Sequence, residues 1–227
     1  MFRKFLELWR KEDLLHQALR DTQNMMELTK EIYHYAIEPL FTGASIDGQQ
    51  VYDMDKQINK FEIEIRRKVL EHLSVSPRQD ITAALVLTTI TVDLERIGDY
   101  AKNFFELYGL YGKPLGEGDI SAKLRELKTA VSKMFDDMIT SFSNADIELA
   151  KRVMEQHKRN SDECESIIAW LIKNPQAYKE LGISGSVLSA LAARYFKRTS
   201  AHIKNVASSV VNPFDRIGYK SPNSVND

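Results

Sequence analysis

Glu95 and Asp99 stand four residues apart in the run D-L-E-R-I-G-D-Y-A-K-N, inside a stretch whose apolar residues recur with helical spacing. Side chains at i and i+4 share one helical face, with Cβ atoms about 5–6 Å apart. Two carboxylates so placed repel each other unless a cation lies between them. Asp55 and Asn59 repeat the spacing forty residues upstream, in D-K-Q-I-N. Oxygen donors from two neighbouring helices suit a hard or borderline metal ion, and carboxylates projecting inward from adjacent helices build the metal sites of helical bundles. A simpler reading is open too. Arg96 lies three residues before Asp99, and Asp53, Asp55, Lys56 and Lys60 read as an ordinary charged surface. Gly98 is costly in a helix interior, by about 1 kcal/mol against Ala. Close helix approach or room for a ligand would explain it.

The elements that must carry these residues are helical. Periods near 3.6 predict helices over about 5–40, 48–75, 81–110, 119–143, 146–173 and 184–211. Pro39 ends the first, Pro77 the second, and Asp80 is the expected N-cap of the third. Y-G-K-P-L-G-E-G-D is the clearest boundary in the chain, and no strand pair is evident. The expected fold is all-α, with two tandem three-helix bundles over residues 1–110 and 119–211 and a flexible tail over 212–227.

A displacement of 102 residues registers the second and third helix of each half. Glu95-Arg96 falls on Lys197-Arg198, Asn103 on Asn205, Asp55 on His157 and Asn59 on Ser161. The first-helix pair is expected to need a different offset, because the first loop is longer. D-R-I-G-Y at 215–219 echoes the opening run, but follows Asn212-Pro213 where no helix is expected.

Composition excludes several classes. Hydrophobic residues are 43% and charged residues 28%, enough for a core and too apolar for disorder. Thirty-one Lys and Arg against 32 Asp and Glu leave a net charge of −1, so no basic field invites nucleic acid. No apolar run is long enough to span a bilayer, and the charged N-terminus does not read as a signal peptide. Phe2, Phe5, Leu6 and Trp9 form an amphipathic stripe that fits a core or a membrane surface. Cys164 is the single cysteine, so no intrachain disulfide exists. Trp9, Trp170, Tyr33 and Tyr35 read as core or groove aromatics.

D-L-E-R-I-G-D-Y-A-K-N together with D-K-Q-I-N resembles the paired motifs of the PhoU family of phosphate-signalling proteins, which consist of two three-helix repeats. The resemblance spans about residues 5–211. It implies metal, iron or zinc, at Glu95 and Asp99, with Asp55 and Asn59 from the facing helix. It implies a cytoplasmic regulatory adaptor, not an enzyme, that restrains the phosphate-starvation response. Its partners would be a phosphate transporter and a sensor histidine kinase at the inner membrane face, and a homodimer is common. Some similar proteins are linked to sodium-dependent phosphate transport. The second repeat departs from the pattern: Lys197 and Ala201 replace the Glu and the Asp. There His157 and His202 suggest a second metal site, or Lys197, Arg198, His202 and Lys204 a basic face for an anion or acidic partner. A metal-dependent phosphohydrolase and a helical scaffold without metal are the alternative functions. The first would need a substrate pocket and an open coordination position.

Overall fold

The computed structural model describes residues 14–75 and 80–219. The N-terminal stripe of Phe2, Phe5, Leu6 and Trp9, and the stop at Pro77, lie outside those residues. Six long helices make up the fold: α1 (Leu14–Thr42), α2 (Gly48–Val75), α3 (Ile81–Tyr111), α4 (Asp119–Asn144), α5 (Ile147–Lys173) and α6 (Gln176–Val211). A short 3₁₀ turn, Phe214–Arg216, follows. No strand occurs among the described residues.

Each helix is amphipathic, and its apolar stripe dictates where it packs. Helices α1, α2 and α3 form one bundle, and α4, α5 and α6 the other. The bundles lie side by side through α3 against α6 and α1 against α4, leaving α2 and α5 outermost. The four central helices each contribute one fully buried large ring, Tyr33, Phe104, Phe135 and Phe196. Tyr33 and Phe135 have centroids 5.0 Å apart, and Phe104 and Phe196 4.8 Å. Both are tilted contacts, with ring planes at 42° and 52°, within the centroid distances that aromatic pairs favour.

The register of 102 holds for all three helix pairs, the first included. Buried residues coincide at Met25 and Leu127, Tyr33 and Phe135, Val51 and Val153, Ile65 and Ile167, Leu94 and Phe196, and Ala101 and Ile203. The longer first loop, 43–47 against 145–146, is absorbed by a later start of α2, so it does not shift the core. Two equivalent pairs also touch each other. Tyr33 packs on Phe135, and Tyr100 stacks on His202 with centroids 5.9 Å apart. Equivalent residues meet in this way on a local two-fold axis, the arrangement of an isologous interface.

Four local expectations are corrected. Helix α1 passes through Pro39 to Thr42. Asp80 is not a side-chain N-cap: it sits at φ 64° and makes no capping hydrogen bond. Helix α6 begins at Gln176, eight residues before 184, and is broken at Gly182 (φ 68°, ψ 170°). Glycine tolerates that backbone, and a short apolar turn before it extends the last helix. Finally, residues 212–219 of the expected flexible tail are docked. The Asn212 amide donates to the Arg216 and Tyr219 carbonyls at 3.0 and 2.9 Å, and Gly218 N donates to Ser208 Oγ at 2.7 Å.

Candidate functional site

Gly98 is the position that sets the spacing of the site. It faces Ile58 of α2, and a Cβ there would lie 3.0 Å from Ile58 Cδ1. Its missing side chain lets α2 and α3 approach closely enough for their polar edges to meet. Asp55 of α2 is buried, Asn59 lies half-buried one turn on, and Glu95 and Asp99 of α3 are half-buried.

Between them stands Lys102. Its Nζ is 2.9 Å from Asp55 Oδ2 and 3.2 Å from Asp99 Oδ1. Burial alone would lower the Lys102 pKa, but the hydrogen bond to Asp55 and the charges of Asp55 and Asp99 outweigh it and raise it. Arg96 closes the outer side, with Nη1 3.2 Å from Asp99 Oδ2 and Nε 3.4 Å from Glu95 Oε2. Glu95 is only partly compensated by Arg96. Burial holds its pKa above the usual carboxylate range, Asp99, Glu62 and Asp55 push the same way, and Arg96 opposes them.

Asp55 of α2 and Asp99 of α3 therefore meet on an ammonium that spacing did not single out, with Glu95 near both carboxylates. Among the described residues no three His, Cys, Asp or Glu side chains are arranged as a shell for a metal ion. As arranged, the cluster does not fit iron or zinc, because Lys102 supplies the positive charge between Asp55 and Asp99.

The four second-repeat residues separate into two groups. His157 and Lys197 belong to the face equivalent to the acidic cluster. His157 Nδ1 is 2.9 Å from Ser200 Oγ. Burial, with Lys204 and Lys197 close by, lowers its pKa to about 4 against the weaker opposing pull of Asp162, so the ring is neutral. Lys197 pairs with Glu165. Arg198 and His202 turn the other way, into the seam with α3. His202 Nδ1 is 2.7 Å from Asp93 Oδ1, and the Asn205 amide donates to the same oxygen at 2.8 Å. Arg198 Nε donates to Tyr100 Oη at 3.3 Å. A His157–His202 pair for zinc is thus not assembled, because Ser200 and Asp93 hold the rings on different surfaces.

Asp93 is the residue that sequence reasoning passed over. It opens the D-L-E-R-I-G-D-Y run, yet its partners lie 109 and 112 residues away on α6. No spacing rule reaches that far. Cys164 is inert by position: burial pushes its thiol up to about 12.

The PhoU domain matches this chain twice, over residues 22–107 and 124–210. This chain belongs to the PhoU family. Three PhoU relatives resemble it at low identity over most of their length. The phosphate-specific transport system accessory protein PhoU homolog of Pseudomonas aeruginosa is 25% identical over 186 residues, 78% of this chain and 73% of that protein. PhoU homolog 1 of Thermotoga maritima is 23% identical over 193 residues, covering 84% and 83%. The Escherichia coli K12 protein is 25% identical over 184 residues, covering 77% and 73%. The PhoU fold is shared with crystal structures of PhoU from P. aeruginosa and Streptococcus pneumoniae, each at a TM-score of 0.76 over 87% of this chain. Those chains are covered to 95% and 93%, at 23% and 16% identity.

Proposed function

We propose that this protein is a non-catalytic regulatory adaptor of phosphate uptake and phosphate-starvation signalling, working in the cytoplasm at the inner membrane face as a homodimer. The observation that carries the reading is the PhoU match over both repeats, joined to relatives named as accessory proteins of phosphate-specific transport. Its partners in this reading are a phosphate transporter and a sensor histidine kinase. Among the described residues no helix is long and apolar enough to cross a membrane, which agrees with a peripheral position. A strain lacking the protein is expected to misregulate phosphate uptake and to transcribe phosphate-responsive genes in phosphate-replete medium. Unchanged uptake together with unchanged transcription would remove the reading.

Iron or zinc enters the proposal in one form only. Glu95, Asp99, Asp55 and Asn59 become available as oxygen ligands when the Lys102 ammonium leaves. Metal content of Lys102→Met protein, measured against wild type and against Glu95→Ala plus Asp99→Ala, tests this. Metal gained in the first variant and absent from the double variant is the expected result.

A further inference from the structure

The second repeat has the same framework as the acidic cluster with the opposite charge. At a displacement of 102, Lys204 is the equivalent of Lys102, Lys197 of Glu95, His157 of Asp55 and Ala201 of Asp99. Lys102 has two carboxylate partners. Lys204 has neither, since a methyl group and a neutral imidazole stand in their places. Its ammonium donates instead to the carbonyl of Gly218 in the docked tail. The nearby carboxylate, Asp93, already accepts from His202 and Asn205. Lys204 is a half-buried cation whose counter-ions the fold has removed, and Lys197 adds a second ammonium beside the same imidazole.

We propose that this face of the second repeat binds a small oxyanion of the phosphate class between Lys204 and Lys197. Its oxygens would take the place that the Asp99 carboxylate holds around Lys102, which the Ala201 methyl leaves open, beside the His157 imidazole. A half-buried ammonium gains most from an anionic acceptor, because a charge-assisted hydrogen bond is roughly twice as strong as a neutral one. The Gly218 carbonyl is a neutral acceptor that such an anion displaces. Ser161, the equivalent of Asn59, supplies a hydroxyl at the rim. Three carboxylates bear on the site: Asp93, which acts on Lys204 but is held by His202 and Asn205, Glu165, paired with Lys197, and Asp162, which acts on His157. Glu165 is exposed and competes directly with the anion for Lys197.

The test is a titration of the purified full-length chain with inorganic phosphate and, separately, sulfate, at constant ionic strength set by chloride. Binding is read by calorimetry and by the ring resonances of His157. Saturable binding is expected, weakened about tenfold in Lys204→Met, the loss of one charge-assisted contact. Glu165→Gln, on the exposed surface, leaves folding intact and is expected to tighten binding about threefold by freeing Lys197. Heat and shifts that never saturate, or that chloride reproduces, would overturn the proposal. So would unchanged affinity in a folded Lys204→Met protein, or affinity unchanged or weakened in Glu165→Gln.

Discussion

The two repeats place the same backbone around opposite chemistries. In the first, Asp55 and Asp99 hold one ammonium and Glu95 lies beside them. In the second, His157, Lys197 and Lys204 meet with a surface carboxylate and a carbonyl for company. The equivalent helix contacts differ in parallel. Gly98 lies against Ile58, where the second repeat has Ser200 and Asn160, both buried. The first repeat needs glycine because its partner is a branched apolar side chain. The second tolerates a hydroxyl, and turns it to hold His157. A duplicated scaffold keeps its buried positions, where packing constrains volume, and is free to invert the charge at its polar edges.

The comparison depends on the seam that joins the repeats, and the largest effect is expected there. Asp93→Ala removes an acceptor shared by His202 and Asn205 in a side-chain environment only 13% exposed. A loss of about 3 kcal/mol is expected from two broken hydrogen bonds to one carboxylate oxygen, measured by urea denaturation. A loss near zero would mean that the repeats are held together without the Asp93 hydrogen bonds. Gly98→Val should cost about 2 kcal/mol through overpacking on Ile58, and Ile58→Ala in the same chain should restore part of it. The equivalent change Ser200→Val should instead act by removing the hydroxyl from His157, with no rescue from α5 truncation at Asn160.

The two sites should also titrate with opposite sign. His157 has its pKa lowered to about 4, so as pH falls from about 6.5 toward 4 the unfolded chain takes up a proton that the folded chain refuses. Stability is lost over that window, by about 1–2 kcal/mol after allowance for partial exposure, and His157→Gln should abolish the loss. Glu95 is a carboxylate with a raised pKa, so the folded chain binds its proton more tightly than the unfolded one. Its contribution declines as pH rises through the raised value. Glu95→Gln should therefore stabilise the protein at neutral pH, and the gain should vanish in acid. Thermal melts across pH 4 to 8 on both variants separate the slopes. The smallest effect belongs to Lys102→Met, about 1 kcal/mol of destabilisation at low salt: Lys102 and Asp99 are part-exposed, Asp99 keeps Arg96, and only the buried Asp55 loses its counter-charge. Full retention of stability would show that Lys102 serves the charge balance of the site and not the fold.

Much of this architecture was legible in the chain. The helical periods placed all six helices, and the D-L-E-R-I-G-D-Y and D-K-Q-I-N runs put Glu95 and Asp99 on one helix edge and Asp55 and Asn59 on another. Beyond the separate offset expected for the first helix pair and the tail, whose residues 212–219 are docked, the errors fell at helix ends. Pro39, Asp80 and Gly182 each carry a local preference that tertiary packing overrode or used differently. Nothing in spacing marked Lys102 as the cation of the cluster, although it stands three residues from Asp99 and reaches 47 residues back to Asp55.

The sequence by itself determined the helices, the repeat, its register and the charge inversion, because each is a property of neighbours or of a fixed displacement along the chain. Only the tertiary structure decided which charges pair. That choice depends on helix approach distances such as that of Gly98 to Ile58, and on a seam that brings Asp93 to His202 across 109 residues. Helix periodicity acts within a few turns, and side-chain electrostatics over a few ångströms, so no rule along the chain connects the two.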